Sequence, residues 1–102
     1  MKTELGNVVC ERSPGARVFR LRGEFDLSNA WQIKEMLLDA IRDRDEVVVD
    51  LAEVSFMDAS LVRALVAARR AAGAEDLPLA IMPPANPTVW RLISLADLPL
   101  AA

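Results

Sequence analysis

Hydrophobic and polar positions first alternate along this chain and then fall into a longer period. From Arg17 to Phe25 the repeat is two residues. Phe19, Leu21 and Gly23 share one face and Val18, Arg20 and Arg22 the other, which predicts a half-buried strand. Val8-Val9-Cys10 is a shorter strand candidate before it, and Ser13-Pro14-Gly15 between the two is a strong turn signal. Together they read as an antiparallel hairpin at one edge of a sheet. Asp26-Leu27-Ser28-Asn29 then gathers helix-capping residue types, and from Ala30 the spacing becomes helical. Ala30, Ile33, Leu37, Ala40 and Ile41 form one apolar stripe with Met36 beside it, while Gln32, Lys34, Glu35, Asp39 and Arg42 fall mostly outside. A helix over about 29–42 is predicted, ending in the charged run Arg42-Asp43-Arg44-Asp45.

Val47-Val48-Val49-Asp50-Leu51 carries apolar residues on both faces, which predicts a central, parallel strand covered on both sides. A loop after Leu51 runs through Ser55-Phe56-Met57-Asp58-Ala59-Ser60 into a second helix over about 60–72, with Gly73 as its C-cap. Pro78-Leu79-Ala80-Ile81-Met82 is a further strand. After the proline-rich loop, Asn86 as N-cap and Pro87 at the first helical position open a third helix over about 87–95, through Val89, Leu92 and Ile93. The order β-β-α-β-α-β-α predicts an α/β sandwich with a mostly parallel central sheet, an N-terminal antiparallel hairpin and crossover helices. A length of 102 residues fits a single domain over 1–102.

Composition narrows the function. Fifty-three per cent hydrophobic and 26% charged residues predict a packed core rather than disorder. With 12 basic against 15 acidic residues, the net charge of −3 lacks the basic excess that a nucleic-acid binder needs to neutralise phosphates. The absence of histidine removes Ser-His and Cys-His catalysis and imidazole metal sites. A lone cysteine, Cys10, forms no internal disulfide, so the chain fits a reducing compartment, and it reads as a small core residue. Residues 1–6 lack an apolar signal core and no apolar run approaches bilayer length, so a cytoplasmic protein without direct membrane insertion is expected. The four glycines are scattered and make no phosphate loop. A non-enzyme with no cofactor and no metal is therefore expected.

Chemistry in such a sheet gathers at the carboxyl ends of parallel strands. Asp26 and Ser28 follow one strand, Asp58 and Ser60 open the second helix, and right-handed crossovers make these loops neighbours. These residue types serve equally as helix N-caps, and the acid pair Asp26 and Asp58 is compatible with acid–base work, although no cleft residues accompany it. Arg63, Arg69 and Arg70 give a small basic patch or a solvated helix face. Trp31 and Trp90 read as covers for the core edges.

The segment from Val47 through Asp50-Leu51 to Asp58-Ala59-Ser60 resembles the STAS domain of anti-sigma factor antagonists, whose signature is an apolar strand, Asp-Leu, a short loop and Asp-Ser-Ser/Thr-Gly opening a helix. Leu21-Arg22-Gly23-Glu24-Phe25-Asp26 is similar to the family's Leu-x-Gly-Glu-Leu-Asp, and Pro87-Thr88-Val89-Trp90-Arg91-Leu92-Ile93 is similar to its last helix. The resemblance implies partner switching in transcription regulation. In the family, the unphosphorylated antagonist binds an anti-sigma factor that is also a serine kinase; phosphorylation of the first hydroxyl after the aspartate ends that binding, and a phosphatase restores it.

The match departs from the family at the switch itself. The phosphorylated position falls on Ala59, which has no hydroxyl; Ser60 matches the second hydroxyl and is the remaining candidate for phosphorylation. Leu61 and Arg63 stand where the family has glycines, so two small residues of the docking face are expected to have become large. The resemblance places partner contacts at Asp26, Ser28, Phe56, Met57, Asp58, Ala59, Ser60, Leu61 and Arg63. Three functions follow: an antagonist whose usual switch is removed; a STAS interaction subunit of another assembly, such as a lipid-transport complex or a stressosome-like scaffold; or a small-molecule or nucleotide sensor.

Overall fold

A computed structural model of the chain describes residues 2–5 and 7–101, with side chains from Asn7 onward. Its elements run β1 (Lys2–Leu5), β2 (Val8–Ser13), β3 (Ala16–Phe25), α1 (Ala30–Arg42), β4 (Glu46–Met57), α2 (Ala59–Ala74), β5 (Leu79–Met82) and α3 (Pro87–Leu95). The sheet order is β1-β2-β3-β4-β5. β1 and β3 pair antiparallel with β2, while β3-β4 and β4-β5 are parallel. The expected hairpin, parallel remainder and three helices are all present. β1 extends the antiparallel part by one strand that the sequence pattern does not announce.

Register explains which residues make the core. Phe19, Val49 and Ile81 stand side by side on β3, β4 and β5, and all are buried. The stripe Ala30, Ile33, Leu37, Ala40 and Ile41 of α1, the Leu61, Ala64, Leu65, Ala68 and Ala72 stripe of α2, and Val89 and Ile93 of α3 join them in one continuous cluster. Burying one of the Leu, Ile or Val side chains among them contributes about 1.5–3 kcal/mol. The next row, Val18, Val48 and Ala80, is only half-buried and lies outside that cluster. Cover on both faces was expected for 47–51; the helices cover one face, and the other carries Glu11, Arg20 and Asp50, linked in ion pairs.

β4 continues six residues past Leu51, through the segment expected as a loop. Its pairing with β3 slips between Arg20/Arg22 and again between Gly23/Glu24. Each slip inserts an extra β4 residue, and a bulge changes which face the following residues meet. Leu51, Val54 and Met57 therefore all reach the core at a spacing of three instead of two. Asp50 accepts the Ala52 N–H at 2.9 Å beside the first slip. Gly23, at φ +87, takes the left-handed backbone beside the second slip, a conformation costly for a residue with a Cβ.

The helix ends obey one rule with an unexpected residue. After α1, Arg44 (φ 60) donates to the Ile41 carbonyl and Asp45 to that of Ala40. After α2, Asp76 (φ 55) donates to Gly73 and Leu77 to Ala72. Both are Schellman closures, in which a left-handed residue returns the last N–H groups to orphan carbonyls. Gly73, expected as the α2 cap, lies inside the helix, and Asp76 takes the left-handed position.

The end of the sheet opposite the candidate loops is locked by charge. Arg17, 8% exposed, donates from Nε to Asp45 at 2.7 Å and also pairs with Asp43. Burial alone would lower the Arg17 pKa, but these hydrogen bonds and charges raise it. Cys10 packs against the core, and burial pushes its thiol pKa up. Ala101 donates to Ile81 at 2.8 Å, so the segment after α3 returns along the free edge of β5. No helix among the described residues is long and apolar enough to cross a membrane.

Candidate functional site

The two loops predicted to be neighbours are joined by backbone. β3 and β4 pair to their last residues, Phe25 beside Met57, and the Asp58 N–H then donates to the Phe25 carbonyl at 3.2 Å. The sheet thus delivers the Asp26 loop and the start of α2 to one end of the molecule.

Asp26 organises its loop. One carboxylate oxygen accepts the Ser28 N–H at 2.8 Å and the Ser28 hydroxyl at 2.5 Å. The Ser28 hydroxyl and N–H hold this exposed carboxyl below its ordinary pKa, because both bonds favour the charged form. Asn29 occupies the N-cap position of α1 but caps nothing: its Oδ1 accepts the Asp26 N–H at 2.9 Å and its Nδ2 donates to the Glu24 carbonyl at 2.9 Å. The cap-like cluster fastens the loop to β3 instead of closing the helix.

At α2 the capping reading holds. Asp58 is the N-cap, in extended backbone, and its side chain accepts the Ser60 N–H at 2.8 Å. Asn86 does the same for α3, accepting the N–H of Thr88 at 2.9 Å and Val89 at 3.2 Å. Asp26 and Asp58 each spend an oxygen on a local N–H.

The residues tied to the resemblance divide by depth. Asp26, Ser28, Phe56, Ala59 and Arg63 are exposed, and Asp58 and Ser60 are half-buried. Met57 and Leu61 are buried in the core, out of reach of a partner. The change expected to enlarge the docking face at Leu61 is therefore internal, and only Arg63 alters the surface. Sequence reasoning also missed three surface residues. Leu27 is 76% exposed and Trp31 59% exposed, so the tryptophan does not cover a core edge as expected. Trp90 is likewise exposed on α3. With Lys34, Leu27 and Trp31 face Ser60 and Arg63 across a groove of about 310 Å³, floored by Ala30 and Ala64. The available signal was the helical spacing of Trp31 and Lys34, which puts both off the buried stripe of α1.

No group of three or more Cys, Asp or Glu side chains among the described residues is placed to hold a metal ion. The arrangement offers a fastened loop, a capped helix start, exposed apolar side chains and two cations at one end of the sheet.

The comparisons agree on the fold. The family model described as "Mlab, STAS domain" matches residues 9–99. The phosphorylated form of SpoIIAA, a Bacillus cell fate determinant, superposes with a TM-score of 0.74 at 23% identity, over 89% of this chain and 84% of that one. The anti-sigma factor antagonist SpoIIAA in its unphosphorylated form gives 0.72 at 23% identity over 86% of this chain and 82% of that one. An anti-sigma factor antagonist from Mycobacterium paratuberculosis gives 0.72 at 22% identity over 88% and 76%. No curated protein matches the chain in sequence.

Proposed function

The chain belongs to the STAS family, whose SpoIIAA-like members are generally regulatory and non-catalytic, and on that premise we propose that it is a non-catalytic antagonist of the anti-sigma type. It docks an anti-sigma factor/serine kinase through the end formed by the Asp26 loop and the start of α2. One observation carries this reading: that end presents Leu27 on the Asp26 loop, Trp31 on the first turn of α1 and Phe56 near the end of β4 to solvent, beside a loop fastened by Asp26 and Asn29 and a helix capped by Asp58. Large apolar side chains kept rigid and exposed are what a protein interface spends on binding. Asp26, Ser28, Phe56, Asp58, Ala59, Ser60 and Arg63 supply the contact surface; Met57 and Leu61 support it from below.

The switch differs from the family's. Ala59 opens α2 at an exposed position without a hydroxyl, so the complex is constitutive or is regulated at Ser60 with a phosphatase to reverse it. A phosphate adds about 1.5–2 negative charges. At a helix N-terminus it is favoured by about 0.3–1 kcal/mol, whereas like charges 4 Å apart across an interface cost about 1 kcal/mol in water and about 4 at an effective dielectric near 20. The fold tolerates such a group and the interface does not.

Affinity capture from native extract tests the reading, with phosphopeptide mass spectrometry on the same sample. A kinase-like partner in stoichiometric amount supports it. In the same assay Ala59→Ser gains one phosphate from that kinase and ATP; an unchanged mass counts against docking with the start of α2 in the kinase site.

Two observations favour a second reading, the STAS subunit of another assembly such as a lipid-transport complex or scaffold. Ala59 removes the phosphate acceptor, and the matching family model is described for Mlab and not for an antagonist. Co-purification with a membrane ATPase complex and no kinase would decide for it.

A further inference from the structure

From the geometry of the groove between the N-terminal ends of α1 and α2, we infer that it receives an acidic amphipathic helix of the partner, anchored by one apolar side chain against Trp31. The inference rests on the docking role proposed for this end and names the chemistry of what docks. Trp31 is mostly exposed, yet its indole is not loose: Nε1 donates to the Ser28 carbonyl at 3.2 Å. The polar edge of the ring is satisfied and more than half of the residue's surface stays exposed, an orientation set before any partner arrives. Asp26 holds Ser28 in turn, so the loop, the indole and α1 form one preorganised wall. Such fixed tryptophans lose little entropy on binding and are enriched among residues that dominate interfaces.

Charge sets the sign of the occupant. Lys34 and Arg63 border the groove, and with the described residues neither makes an ion pair. Neither has an acid three or four residues away on its own helix: Ala30, Trp31, Leu37 and Leu38 surround Lys34, and Ala59, Ser60, Val66 and Ala67 surround Arg63. Arg17, Arg20, Arg42 and Arg44 are each matched to carboxylates, whereas Arg69, Arg70 and Arg91, which do not line the groove, share the unmatched state of Lys34 and Arg63 among the described residues. In a chain of net charge −3, two unmatched cations beside an exposed tryptophan complement an acidic segment and repel a basic one. The groove wall runs from Leu27 on the loop through about one turn of α1, Ala30 to Lys34, and faces one turn of α2, which suits one apolar anchor of a helix laid across it.

The test uses the full chain with Trp90→Phe, so that emission reports Trp31 alone. Two synthetic amphipathic helices of about 15 residues share their leucines and differ only in carrying Glu or Lys on the polar face. The expected result is a saturable shift of Trp31 emission with the Glu helix, roughly tenfold weaker with the Lys helix. That preference reverses in Lys34→Glu/Arg63→Glu. No response to either helix, or an equal response to both, overturns the inference, and ATP titrated in their place overturns it too if it alone shifts the emission, since that would mark a nucleotide site. The two readings fail separately. Kinase capture that survives Lys34→Glu/Arg63→Glu overturns the groove and leaves the docking end standing. The Glu-helix preference without kinase capture retains the groove and overturns the antagonist role.

Discussion

Asp58 separates structure from recognition, because it caps α2 and also stands on the proposed contact surface. Asp58→Ala removes the acceptor of the Ser60 N–H, a bond of 2.8 Å. Losing an N-cap costs typically about 1 kcal/mol, and losing a negative charge at a helix N-terminus about 0.3–1 kcal/mol more. A total of about 1–2 kcal/mol is well below the 5–15 kcal/mol or so of an ordinary domain, so Asp58→Ala stays folded. For a chain of this size the melting temperature falls by about 5–15 °C. Asp58→Asn keeps a capping acceptor and gives up only the charge, with a fall of about 2–6 °C. Thermal unfolding followed by circular dichroism measures the stability, and partner binding is measured well below both transitions. If Asp58 is a contact, binding is lost in both variants although Asp58→Asn retains most of its stability. Binding that tracks melting temperature makes Asp58 a cap alone. An unfolded Asp58→Ala, or one with an unshifted transition, refutes the reasoning from the cap itself.

Arg17→Met leaves Asp45, 8% exposed, without its guanidinium partner, and urea unfolding should show a loss of about 3–5 kcal/mol; Arg17→Met/Asp45→Leu recovers most of it. Ser28→Ala removes the hydroxyl that holds the Asp26 carboxyl down, so its pKa rises toward the ordinary carboxylate range in an NMR titration. The sign follows from the depression: what the Asp26 turn adds to stability is present above the unfolded-state pKa and fades as pH falls through the lower folded one, and Ser28→Ala flattens that acid limb. Asp76→Gly relieves a left-handed residue at φ 55 and should raise stability by about 0.5–1 kcal/mol, read as a higher melting temperature.

Much of this fold was legible because local and global demands agree. The five residues read as the α1 stripe are the five that α1 buries, and Asn86-Pro87 opens α3 by the bonds that its residue types predict. What escaped the pattern was set by pairing. Lys2–Leu5 has no alternation of its own and becomes a strand only beside β2. The last half of β4 was hidden because two slips against β3 change the period from two to three, which in sequence looks like the end of a strand. Gly73 misled because glycine is the usual left-handed residue at a helix end, whereas closure here falls at Asp76, where Leu77 follows to pack against the core. The site was legible in its loops and not in its surface: capping types mark where the chain turns, but exposure of Leu27 and Trp31 depends on how the loop is fastened to Glu24.

The departures from the antagonist signature acquire different weights once depth is known. Leu61 is fully buried, so a leucine in place of glycine adds to the packing beneath α2 and leaves the contact face unchanged. Ala59 is exposed and carries no hydroxyl, so in the proposed reading it offers no acceptor for a phosphate. Arg63 is exposed and permanently positive on the next turn of the same helix, facing Trp31 and Lys34 across the groove. In the proposed reading these changes act together. A surface that the family toggles by adding a phosphate is here left without an acceptor at its first position and carries a fixed cation nearby. A partner with an acidic helix would then be held continuously, and release would have to come from Ser60 or from the partner's own side of the interface.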